Sequence, residues 1–284
     1  MANRSYLYSL SNRPTHFTDR PETISGLSEW PYAVPFMYRL LMSGDPQLCA
    51  SLISDGLEDE EPDQRTRLPA ISSTFEPGLA RVKRFAEIVR TALATPAAAP
   101  TAAPATPAPA TPEPASLLGK LKRLFSSDDA APAGAAKPAA RGRGPTSVTR
   151  LLEALDETLV FLEAHRNEYL LLETIELELM MESEEAALKA NAEKEIARCR
   201  QAGAALDALP ADPAEAGRQL LAATVERGEP SLDAFHGLRL DDGFDGSRTG
   251  NTDYVLGLAW SDVLYFALHN REEFETRQAQ PDED

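Results

Sequence analysis

The sequence predicts a mainly α, α-rich α+β fold. The expected body is a helical bundle with a small two-strand element formed by the N- and C-terminal strands, plus a disordered Ala/Pro tether. Three observations predict this. Apolar residues recur at helical spacing over most of the chain. Only two short stretches, near residues 4–9 and 253–260, have strand character. Residues 95–146 give up the globular pattern for a run of Ala, Pro and Thr.

In chain order, "RSYLYSL" puts Tyr6 and Tyr8 on one face and Leu7 on the other, the period of a strand. Pro14 and Pro21 make the next stretch a loop. A helix is expected from about Pro35, where Phe36, Leu40 and Leu41 repeat at helical spacing. "SGDP" stops it, and Leu48, Leu52 and Ile53 are expected to continue on a second helix. "DGLEDEEPD" reads as a solvated acidic loop. A third helix follows in "PGLARVKRFAEIVRTALA", with Leu79, Val82, Phe85, Ala86, Val89 and Leu93 on one face.

Repeated Pro in the tether fixes φ and removes backbone donors, so neither helix nor sheet propagates. Within it, "SLLGKLKRLFSS" is an exception. Leu117, Leu118, Leu121, Leu124 and Phe125 share one helical face over residues 116–126, with Lys120, Lys122 and Arg123 at its edges and Ser116 as N-cap. So short a helix needs a surface to hold it. The acidic part of its own chain, a partner or a membrane interface would each serve.

Beyond the tether, Leu152, Leu155, Leu159 and Leu162 predict a long helix capped by Thr146 or Ser147. Leu170, Leu171 and Leu172 with Ile175, Leu179 and Met180 are apolar on more than one face and extend it as a buried helix. "EEAALKANAEKEIARCRQAGAALDAL" continues or folds back, and Asp212 caps another helix from Pro213 to about Arg227. "DYVLGLAW" is the second strand, followed by a helix in "DVLYFALHN". A strand alone leaves backbone groups unpaired, so the two chain ends are expected to pair. Residues 1–94 and 147–284 then form one body around the tether.

The chain has 284 residues and a net charge of −17. Charge divides at the tether: −2 over residues 1–94, +3 over 95–146 and −18 over 147–284. This excludes sequence-independent nucleic-acid binding, which needs a basic surface. It disfavours anionic membranes and favours capture of a basic partner. No run reaches the ~18 apolar residues of a membrane span, and the N-terminus lacks the pattern of a secretory signal. The expectation is a cytoplasmic protein with two reduced thiols, Cys49 and Cys199.

The start "MANRSYLYS", the following "GLSEWPYAVPFMYRLLMSGDP" and the end "YVLGLAWSDVLYFAL" resemble an uncharacterised bacterial family of domain-of-unknown-function proteins. The resemblance covers roughly the first 55 and the last 35 residues. It implies no known activity and transfers no functional residues. Such proteins are discussed beside contact-dependent toxins, which points to an immunity role.

No HExxH, P-loop, dinucleotide GxGxxG, GxSxG or CxxC pattern occurs. His165 and Glu168 have the i, i+3 spacing of a ligand pair, but a polar surface pair has the same spacing. "DDGFDGSRTGNT" has part of a calcium loop, yet Gly243 and Thr252 occupy two ligand positions. No catalytic residue, metal or cofactor is therefore assigned. The expected function is a non-enzymatic acidic binding protein for a basic protein partner, an immunity protein neutralising a bacterial toxin. The acids expected to carry it, in exposed clusters, are Glu173, Glu176, Glu178, Glu182, Glu184 and Glu185. The alternatives are a scaffold or regulatory adaptor that uses the tethered helix, and an uncharacterised enzyme.

Overall fold

The computed structural model describes residues 3–57, 60, 65–94, 149–246 and 255–279. The tether and its expected helix over 116–126 lie outside the described residues. The architecture is α+β and is organised by a five-stranded antiparallel sheet, not by a helical bundle. The strands are β1 (Arg4–Leu10), β2 (Ile24–Pro31), β3 (Gln47–Ala50), β4 (Pro69–Thr74) and β5 (Tyr169–Glu173), in the order β2-β1-β5-β4-β3. The helices are α1 (Phe36–Met42), α2 (Phe75–Ala94), α3 (Thr149–Ala164), α4 (Ile175–Glu178), α5 (Glu185–Ala208), α6 (Pro213–Val225) and α7 (Arg271–Ala279). A 3-10 helix covers Pro230–Phe235.

The expected pairing of the chain ends is overturned. β1 pairs with β2 on one side and β5 on the other, and residues 255–260 join no strand. β5 comes from "YLLLE", three consecutive leucines that the sequence reading extended into a helix. Apolar side chains on both faces fit a strand covered on both sides as well as a buried helix. Both faces of the sheet are in fact covered. Leu7, Ile71, Leu170 and Leu172 pack against α1, α2 and α5 through Phe36, Leu40, Leu79, Phe85 and Ile196. Tyr6, Tyr8, Leu10, Ala70 and Leu171 point the other way, against Leu52, Leu264, Phe266 and Leu268.

β4 precedes the tether and β5 follows it, and the two are hydrogen-bonded neighbours. Residues Met1–Thr95 and Ser147–Asp284 accordingly fall in one compact unit. Helices α2, α3 and α5 are the longest, and each buries residues at helical spacing on one face. Asp212 caps α6 by accepting from the Glu215 amide at 2.8 Å.

The segment expected as the C-terminal strand has another task. Helix α1 starts at Pro35 with no side-chain cap. Its first amides need acceptors. Phe36 N–H donates to the Val255 carbonyl at 3.1 Å and Met37 N–H to the Leu256 carbonyl at 2.8 Å. The amides of Gly257 and Leu258 donate to the Asp245 carboxylate at 2.6 and 3.1 Å. The alternating Leu256 and Leu258 are buried as a strand's would be, but the backbone caps a helix instead of joining a ladder. The helix expected in "DVLYFALHN" is also absent, and the next helix starts at Arg271.

Gly257 makes this seat fit. Its φ is +77°, and an added Cβ would lie 2.4 Å from the Pro35 Cβ. Gly257→Ala should therefore lower unfolding stability by about 2 kcal/mol or more. Gly228→Ala, where nothing lies within 4 Å, should change it by less than about 0.5 kcal/mol. Urea unfolding of the two variants side by side measures the difference.

Candidate functional site

The centre of the second sheet face carries a charge. β5 ends on Glu173, opposite Tyr6 of β1, and its side chain is fully buried. Its carboxylate accepts from Ser51 Oγ at 2.9 Å and from the Leu52 amide at 2.7 Å. On the same residue, but in the next peptide group, the Leu52 carbonyl accepts from Arg20 Nη1 at 3.0 Å. One residue therefore separates a buried carboxyl from a buried guanidinium. Burial pushes the Glu173 carboxyl up to about 7, against the pull of its hydrogen bonds and of Arg20. Burial also pulls the Arg20 guanidinium down to about 10, and Glu173 opposes that shift.

Arg20 is 4% exposed and sits in an aromatic corner. Its Cζ lies 4.2 Å from the Phe17 ring centre and 4.4 Å from that of Phe274. The two rings meet at 78°. Arg20 Nε is buried and has no hydrogen-bond partner. These groups line a groove of about 480 Å3 with Leu52, Ile53, Phe266, Leu268, His269 and Arg277.

A second groove, of about 600 Å3, lies between α3 and the loop 241–246. It is lined by the carboxylates of Glu153, Glu157, Asp242 and Asp245, with Arg150 the one basic side chain among the described residues. Asp245 and Asp242 are committed to the backbone, Asp245 as above and Asp242 through the Leu151 amide at 3.3 Å. Burial raises the Asp245 pKa, while its two backbone hydrogen bonds lower it. Glu153 and Glu157 lie one helical turn apart on the exposed face of α3. The loop with part of the calcium pattern is thus ordered by its own aspartates: Asp241 accepts from the Gly243 amide and pairs with Arg239 at 3.0 Å. Among the described residues, no group of three or more His, Cys, Asp or Glu could hold a metal ion.

The six acids singled out from sequence do not form one exposed cluster. Glu173 is internal. Glu176 accepts from the Arg4 amide at 3.0 Å and the Tyr6 hydroxyl at 2.9 Å, bracing α4 against β1. Glu178 accepts from Thr174, its other oxygen is buried without a partner, and burial raises its pKa to about 7. Only Glu182, Glu184 and Glu185 are exposed, next to the exposed side chains of Leu179, Met180 and Met181. His165 is not paired with Glu168; its ring stacks on Phe161 at 4.1 Å. Sequence reading missed Arg20, Phe17 and Phe274, which are brought together only by the fold. It also missed Glu153 and Glu157, whose i, i+4 spacing on the polar side of an expected helix was a usable signal.

Residues 11–113 match the family model described as Domain of unknown function (DUF7822). No curated protein and no solved structure matches the chain. The matched range holds β2, β3, β4, Phe17 and Arg20, whereas β1, β5, Glu173 and the acidic groove lie outside it.

Glu173 gives a pH signature. Its ordinary pKa of 4.5 applies to the unfolded chain, and about 7 to the folded one. The folded chain holds the extra proton between those values, so stability falls as pH rises through that window. The full shift corresponds to about 3 kcal/mol. Glu173→Gln should reduce the decline in unfolding free energy between pH 5 and pH 8, leaving the part due to Glu178, whose carboxyl burial raises over the same window. Equal declines in wild type and variant would show that Glu173 is not the group responsible.

Proposed function

We propose that this chain is a non-enzymatic binding protein that captures a basic protein partner, and that the groove between α3 and loop 241–246 is where it does so. The observation that carries the reading is the lining of that groove, four carboxylates against one guanidinium, with Glu153 and Glu157 exposed. Other acids of the C-terminal part are neutralised within the fold. Glu195 pairs with Arg39 at 2.6 Å and Arg198 at 2.9 Å, and Asp207 pairs with Arg81 at 2.7 Å. Exposed acids also occur singly, as at Glu193, Glu226 and Glu229; the groove is where Glu153 and Glu157 flank a concave surface, and the Leu179–Glu185 ridge holds three more. Such a surface steers cationic partners and discriminates against anionic ones. The finer reading is an immunity protein that covers the cationic cleft of a bacterial toxin, with the partner's Lys or Arg side chains entering the groove.

The test is charge reversal. Glu153→Lys with Glu157→Lys should weaken binding of a fluorescent Lys/Arg-rich peptide by about tenfold or more at low salt, with thermal stability held. Where a toxic domain is encoded beside this gene, the same double variant should fail to protect cells that express it. Binding and protection that are indifferent to both substitutions and to salt would remove the groove from the reading.

A further inference from the structure

The groove around Arg20 has the opposite character to the chain that carries it. Its charged lining residues, Arg20 and Arg277, are both positive, on a chain of net charge −17. Glu273 sits outside the lining and is turned to His269 at 3.6 Å. The counter-charge to Arg20 is withdrawn behind Leu52, where the Glu173 oxygens are taken by Ser51 and Leu52. Arg20 Nε is left buried with no acceptor, one prong of the guanidinium fork unmet. A buried donor without a partner costs free energy until an acceptor reaches it. The remaining walls are mostly apolar, with Phe17, Phe266, Leu268 and Phe274 beside the polar His269 and Gln278.

We propose that this groove binds a small apolar monocarboxylate, an aryl or alkyl acid. Its carboxylate meets Arg20, and its hydrocarbon lies against Phe17, Phe266, Leu268 and Phe274. A guanidinium fork matches a carboxylate in geometry and charge. The volume of about 480 Å3 lies in the range of small-molecule sites, which are mostly apolar with few fixed polar groups. Exposed Arg277 adds a second positive charge at the edge. The site is separate from the acidic groove and does not depend on the function proposed for it.

The experiment titrates 4-phenylbutyrate and its uncharged amide into the isotope-labelled full chain, followed by NMR. The acid should shift resonances of Phe17, Arg20 Nε, Leu268 and Phe274 in a saturable way, and the amide should bind about tenfold more weakly. Arg277→Gln, at an exposed position, should weaken the acid about threefold and leave the amide unchanged. Arg20→Lys should weaken the acid about tenfold or more. If that variant does not fold because the ammonium cannot replace the guanidinium between Phe17, Phe274 and the Leu52 carbonyl, the comparison of acid and amide on the wild type decides. Equal affinity for acid and amide, shifts centred outside the groove, or no saturation by about 10 mM acid would each overturn the proposal.

Discussion

The second face of the sheet is arranged around one buried charge pair. Glu173 and Arg20 are both almost completely removed from water, and each is too costly to bury alone. They are reconciled through one residue, Leu52, whose N–H serves Glu173 and whose carbonyl serves Arg20. That requirement fixes the loop after β3, because Ser51 and Leu52 have to reach the end of β5. It fixes the loop before β2 as well, because Arg20 has to lie beneath Leu52. Helix α7 follows from the same constraint. Arg271 donates from its amide to the Pro21 carbonyl at 2.9 Å and from Nε to the Arg20 carbonyl at 3.3 Å, and Phe274 covers the guanidinium. Removing the Arg20 side chain would take away the cation that favours the ionised Glu173, whose carboxyl burial already pushes up to about 7.

The segment 255–279 connects two grooves of opposite sign. Leu258 and Ala259 wall the acidic groove, and residues 265–269 wall the basic one. Between them the chain runs beside the outer strand of the sheet, where Ser261 N–H donates to the Leu27 carbonyl at 2.9 Å and Tyr265 N–H to Glu29 at 2.6 Å. These contacts occupy part of an edge that would otherwise offer free backbone groups to another chain. A segment that caps α1, covers β2 and lines both grooves is where a ligand in one groove would most directly be felt at the other.

The helices were legible where one apolar stripe faces one core, as in α2 with Leu79, Val82, Phe85 and Val89. The sheet was not, because burial on both faces erases alternation. β5 reads as a continuous run of leucine, and β2, "ISGLSEWP", mixes Gly and Ser into a strand half covered by the segment 259–265. β3, four residues long, is held by β4 and not by its own pattern. Glu173 was misjudged for a related reason. In an acidic stretch a carboxylate is ordinarily solvated, and nothing local marks the one that the fold turns inward. The signal for it is non-local: Ser51, Leu52 and Arg20 lie more than a hundred residues away in sequence.

The position of the tether follows from the packing of α2 and α3. These helices run antiparallel, tied by Glu76 to Arg166, Lys83 to Glu163 and Arg90 to Asp156, at residues seven apart along α2. The chain leaves α2 at Ala94 and returns at Thr149. A short turn would connect such neighbours, and the entropy of closing a longer connection rises only by about 0.6 kcal/mol for each doubling of its length. The ion-pair ladder and the β4–β5 pairing hold both sides in register whatever lies between.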